Sequence, residues 1–163
     1  MEKLFNIICI IAIAVLIVFL IPAITQARLL KRVEGRIVVS IENGGEAWYV
    51  CPETRTRQYL GDADHAFEVM REQALGMTDA DFVRLFGVIP GTQKEPYFTK
   101  DTPLAGRLSG RFLLRVDHDG EAYYLFPEDG RGYYIGNPVD MRRIIERLGQ
   151  RMADRDVKKI VMQ

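Results

Sequence analysis

Cysteine, histidine and tryptophan are scarce in this chain of 163 residues, which has two, two and one of them. Neither Cys9 nor Cys51 belongs to a C-x-x-C pair, which excludes a zinc ribbon and a disulfide framework. His65 and His118 sit in polar surroundings and suggest no metal site. There is also no surplus of either charge: 22 basic side chains face 22 acidic ones. A nucleic-acid binder displaces counterions with excess Lys and Arg, so that class is excluded. G-x-S-x-G, a phosphate-cradling glycine loop, a dinucleotide fingerprint and an EF-hand loop are all missing. These absences predict a noncatalytic protein without cofactor or metal.

What is present begins with a long apolar run. From Leu4 to Ile24 no side chain is charged, and only Asn6 and Pro22 interrupt it. About 20 such residues span roughly 30 Å of hydrocarbon as a helix, which predicts membrane contact through residues 4–24. Thr25-Gln26-Ala27 after the run resembles a signal cleavage site. The run is longer than a usual signal core, which fits a retained anchor. Arg28, Lys31 and Arg32 follow the span and only Lys3 precedes it, which by the positive-inside rule favours a cytoplasmic carboxyl side. Export, with the segment as signal or anchor, is the reading carried forward.

The rest of the chain repeats itself. Leu29–Phe86 aligns with Leu104–Val161 at a shift of 75 without a gap. GRIVVSIENGGEAWYVCPE (Gly35–Glu53) lies over GRFLLRVDHDGEAYYLFPE (Gly110–Glu128), and MTDADF (Met77–Phe82) over MADRDV (Met152–Val157). Gly35/Gly110, Gly45/Gly120, Glu46/Glu121, Tyr49/Tyr124, Tyr59/Tyr134 and Gly61/Gly136 are among the identities. The organisation expected is a signal or transmembrane segment over residues 1–27, a first module over 28–86, a linker over 87–103 and a second module over 104–163.

Each module reads as α+β, a three-stranded antiparallel sheet plus a helix. Arg36–Glu42 alternates, as does its counterpart around Phe112, Leu114 and Val116. Asn43-Gly44-Gly45 and His118-Asp119-Gly120 supply turn residues, and Pro52 and Pro127 end the second strands. A third strand carries Tyr59-Leu60 or Tyr134-Ile135. Asp62 and Asn137 are suitable N-caps, with Pro138 at a first helical position. Helical stripes run through Phe67, Met70, Ala74 and Met77, and through Met141, Ile144, Ile145, Leu148 and Met152. Thr78 and Asp81 fit a capping box that opens a last short helical turn. The second strands are apolar on both sides, so the face left bare by the helix needs the sister copy, another subunit or a ligand.

The boxes GEAWYV, YLG and A-F-x-x-M-R resemble a tandem repeat of exported bacterial cell-envelope proteins from candidate lineages. That resemblance covers nearly all of the chain after Ala27. It implies export and an envelope role, and no chemistry. The second copy departs from it at Tyr123, in place of tryptophan, and at Arg142-Arg143.

Glu46 and Glu121 invite comparison with the acid pair of a glycosidase, but read as charges beside the hairpins. Asp79, Asp81, Asp154 and Asp156 read as helix caps rather than calcium ligands. Cys51 aligns with Phe126 and reads as packing. Aromatics remain. Tyr49, Tyr124, Tyr59 and Tyr134 read first as core, whereas Trp48, Tyr123 and Tyr133 face the other side or differ between the copies. With Tyr59 they form the candidate ligand-binding set: Trp48, Tyr59, Tyr123 and Tyr133. Such rings stack on sugars or anchor protein interfaces. The function expected is a noncatalytic membrane-anchored or exported envelope protein binding a glycan or a protein partner. The alternative is a structural, self-associating homo-oligomer, and an envelope glycan hydrolase is more distant.

Overall fold

The computed structural model describes residues 24–42, 44–88, 91, 95–98, 102–117 and 120–163. The chain divides into two compact units, Met1–Arg32 and Val33–Gln163. Residues 24–33 are helical (α1). The run Leu4–Ile24 lies outside the described residues apart from Ile24, as does His118. Among the described residues no helix is long and apolar enough to cross a membrane.

In the second unit the elements recur at the offset seen in the sequence. The first copy holds β1 (Ile37–Ser40), β2 (Ala47–Val50), β3 (Arg57–Tyr59), α2 (Ala63–Gln73), β4 (Leu75–Met77) and α3 (Asp79–Phe86). After α4 (Pro103–Leu108) the second copy holds β5 (Phe112–Arg115), β6 (Ala122–Phe126), β7 (Arg131–Ile135), α5 (Pro138–Leu148), β8 (Gln150–Met152) and α6 (Asp154–Val157). The expected caps are in place. The Asp62 carboxylate accepts from the His65 amide, Asn137 from Asp140, and Thr78 from Asp81. Thr102 caps α4 with Pro103 behind it, inside a segment expected to be linker.

The architecture is α+β, but the three-stranded antiparallel modules need correction. Each sheet has four strands and is mixed, in the orders β3-β2-β1-β8 (sheet A) and β4-β5-β6-β7 (sheet B). The fourth strand of each sheet comes from the other copy. β4 pairs in parallel with β5, and β8 in parallel with β1. Met77 and Met152, read as the ends of helical stripes, lie on these strands instead. Their spacing from Met70 and Leu148 satisfies a helical period, while the backbone has already turned extended at Ala74 and Gly149.

The exchange gives the two copies one core. Ile37, Tyr49, Leu60 and Met70 of the first share a cluster with Phe112, Tyr124, Ile135 and Met141 of the second, and α2 packs on α5. At its centre Gly35 and Gly110 meet backbone to backbone. A Cβ on Gly35 would stand 2.7 Å from the Gly110 Cα, and one on Gly110 would stand 2.5 Å from the Gly35 Cα. Both glycines also have positive φ, 72° and 80°. The contacts around them are reciprocal. The Tyr49 hydroxyl donates to the Gly110 carbonyl at 2.9 Å, and the Tyr124 hydroxyl to the Gly35 carbonyl at 2.7 Å. Arg111 pairs with Glu53 at 2.6 Å, and Arg36 pairs with Glu128. The Arg111 hydrogen bond, then its charge, lowers the Glu53 carboxyl pKa.

Three substitutions test this seam. Gly35→Ala and Gly110→Ala each combine a left-handed backbone with a backbone clash, and are expected to cost about 2–4 kcal/mol in urea unfolding. Gly44→Ala, also at positive φ but with open space around it, is expected to cost about 1 kcal/mol.

The phenols make a second test. Burial, above all, raises the Tyr49 and Tyr124 pKa values well above the ordinary range. An unfolded tyrosine deprotonates near pH 10, roughly. The folded chain keeps these protons, so the stability they confer is whole below about pH 10 and declines as pH rises toward the folded values. Circular dichroism against pH is expected to show alkaline unfolding that is shallower in the Tyr49→Phe, Tyr124→Phe double variant. Each single change is expected to cost about 1–2 kcal/mol at neutral pH, since it strands a buried carbonyl.

Candidate functional site

The outer faces of the two sheets, turned away from the shared core, are where the copies differ. On sheet B, Tyr123 is 2% exposed beneath Phe82 and Phe86 of α3, with ring centroids 5.1 and 6.1 Å away. Phe98 and Ala105 complete this cover. The sister copy therefore supplies much of the missing face, because β4 carries α3 across. Tyr133 points into the central core, is 3% exposed, and donates to the Asp129 carboxylate. Burial first, then neighbouring carboxylates, pushes both phenols up to about 12. Tyr123 and Tyr133, expected as ligand contacts, are core residues without an open ring face.

Sheet A is dressed differently. The register places Trp48 opposite Tyr59, and their rings meet at 4.9 Å and 53°. Tyr59 is 42% exposed, and His65 lies 6.4 Å from its ring. The sequence counterparts of Phe82 and Phe86 are Val157 and Val161. Val157 is buried, but Val161 is 68% exposed and covers nothing. Small aliphatic residues in place of the two phenyl rings that cover Tyr123 leave its counterpart Trp48 half-buried, with Tyr59 exposed beside it. Of the four expected residues, these two are brought together.

Sequence reasoning missed Arg57. Its guanidinium lies 4.1 Å over the Trp48 ring, a cation–π distance. The segment after α6 holds it there. Arg57 Nε donates to the Ile160 carbonyl at 2.9 Å, its amide to the Val161 carbonyl at 2.7 Å, and its own carbonyl accepts from the Gln163 amide. The available signal was the contrast with Gly132, its counterpart, where a Cβ would run into the Phe86 ring at 2.7 Å.

The polar groups on this face are incompletely satisfied. Register puts Gln150, Val38, Trp48 and Tyr59 in one row across the sheet. Gln150 Oε1 and Trp48 Nε1 in that row, and Ser40 Oγ two residues along β1, are buried without a hydrogen-bond partner. A buried orphan of this kind costs about 1–3 kcal/mol.

The two glutamates also part company. On sheet B, Arg115 is 5% exposed and is gripped by Asp79 at 2.7 Å and by Glu121. Burial opposes its charge, but hydrogen bonds to Asp79 and Glu121 more than offset this and raise its pKa. Ser40 occupies the corresponding place on sheet A, so Glu46 has no buried guanidinium beside it, and the cation its charge acts on is the exposed Lys158. Asp154 is held by Lys158 at 2.5 Å, and Asp156 by Lys159 at 2.6 Å. Among the described residues no group of three or more His, Cys, Asp or Glu side chains is placed to hold a metal ion.

The glycines of the boxes line two related clefts. One, of about 440 Å³, runs between Gly45 and Gly61 of the first copy and Arg142 and Glu146 of α5. The other, of about 230 Å³, runs between Gly120 and Gly136 and the α2 residues Phe67 and Arg71. Arg142 and Glu146 pair with each other, and the carboxylates of Asp62 and Asp64 also line the larger cleft.

No protein-family model, no curated protein and no solved structure matches the chain.

Unequal roles for the glutamates predict unequal costs. Glu121→Gln leaves a buried guanidinium with one carboxylate and is expected to destabilise by about 1–3 kcal/mol in urea. Glu46→Gln is expected to stay within about 0.5 kcal/mol of wild type.

Proposed function

We propose that the protein is a noncatalytic binding protein of the cell envelope, holding a glycan on the aromatic face of sheet A. One observation carries this reading: Tyr59 stands open beside Trp48, where the same face of sheet B is closed by Phe82 and Phe86. An exposed tyrosine beside a tryptophan offers its π face to the CH face of a sugar, and its hydroxyl can hydrogen-bond a sugar hydroxyl. The catalytic alternative lacks support, because Glu121 is committed to Arg115 and serves packing. Placement at the membrane, outside the cytoplasm, rests on the run Leu4–Ile24 and on the repeat's likeness to exported proteins.

A second reading has its own observation. Val161 and Met162, 68% and 62% exposed, border Arg57 and add apolar surface to the same face. Two chains joined there would form a self-associating envelope component.

Trp48 is the chain's single tryptophan and reports directly on the site. Titrating the full chain in detergent with solubilised cell-wall glycan is expected to shift Trp48 emission saturably. Tyr59→Ala is expected to weaken binding about tenfold, the equivalent of about 1.4 kcal/mol. Emission indifferent to every wall glycan fraction overturns the glycan reading. A sedimentation mass that rises with concentration and reverts in Val161→Asp supports self-association instead.

A further inference from the structure

We infer that the glycan taken by this face is an acidic one, its carboxylate received by Arg57; this rests on the glycan reading above. Among the described residues five arginines are sheltered from solvent: Arg36, Arg57, Arg111, Arg115 and Arg131. Four of them are matched to carboxylates, namely Glu128, Glu53, Asp79 with Glu121, and Glu95. Arg57 alone of the five has no acidic partner, although sheltering a cation without a counter-charge is unfavourable.

Its geometry suits capture of an anion. Stacking on Trp48 at 4.1 Å and the Nε bond to the Ile160 carbonyl fix the guanidinium plane. That leaves the two terminal nitrogens, whose parallel N–H groups match the two oxygens of a carboxylate. Tyr59, two residues along the same strand face, is the exposed ring that a sugar carrying that carboxylate would stack on. Glu46 also lies on this face, two residues before Trp48, and makes no ion pair with Arg57. The second copy lacks the cation, since Gly132 replaces Arg57 and Phe86 fills the space. The chemistry belongs to sheet A only.

The test compares an oligogalacturonate with a neutral cello-oligosaccharide of the same length, titrated into the full chain in detergent and followed by Trp48 emission and by calorimetry. Wild type is expected to bind the acidic oligomer about tenfold more tightly at low salt, with the preference shrinking at high salt. Arg57→Gln is expected to abolish the preference while keeping the neutral affinity. Arg57→Lys retains the charge and a stem to pack on Trp48, and is expected to keep part of the preference. A thermal melt of each variant separates a lost carboxylate contact from a lost fold. Equal affinity of wild type for the two oligomers overturns the acidic assignment and leaves the glycan reading standing. Binding of neither also overturns the acidic assignment, and the wall-glycan titration above then decides the glycan reading.

Discussion

The contact between Gly35 and Gly110 is the constraint on which the rest of this structure depends. Two backbones can approach so closely only where neither residue has a side chain, and only there can each tyrosine reach the opposite copy's carbonyl. Once the seam is closed, β4 and β8 lie beside the opposite copy's first strand and complete its sheet. A repeat of fewer than 60 residues buries too little surface for comfort on its own. The exchange resolves this by merging two inner faces and two helices into one core.

The seam is symmetric in its interactions and the outer faces are not. Tyrosine bonds, arginine–glutamate pairs and capping carboxylates all occur in duplicate. Asp117 accepts from the Asp79 amide just as Glu42 accepts from the Asp154 amide. These are residues that must serve the same turn twice. Change is concentrated where one copy carries cover and the other does not: Phe82 against Val157, Phe86 against Val161, Arg115 against Ser40, Gly132 against Arg57. A duplicated fold holds the seam constant because both halves need it, and frees one outer face to acquire a different chemistry.

Much of this was legible from the residues. The offset, the hairpins, the caps at Asp62, Thr78 and Asn137, and the helices they open all follow from local rules. The exchanged strands were not legible. Leu75–Met77 and Gln150–Met152 are three residues each, and Met70 and Met77 are spaced as a helix would space them. Only a partner strand distant in the chain makes these residues extended. The same reason hid the fate of Tyr123. Its alternation with Tyr124 placed it on the outer face, but whether that face is open depends on Phe82 and Phe86, which approach from the other copy. Burial there is a tertiary property, and an aromatic residue's own sequence context does not contain it.

It follows that the candidate site belongs to neither copy. Trp48, Arg57 and Tyr59 come from the first, but the carbonyls that hold Arg57 over Trp48 belong to Ile160 and Val161 of the second. Gln150, in the same row as Trp48, arrives on the exchanged strand β8. The position of the guanidinium is therefore set by how β8 and the residues after α6 dock, and that docking is set by the seam. The exchange gives the small module a stable core, and it also builds a composite surface that one repeat alone could not assemble.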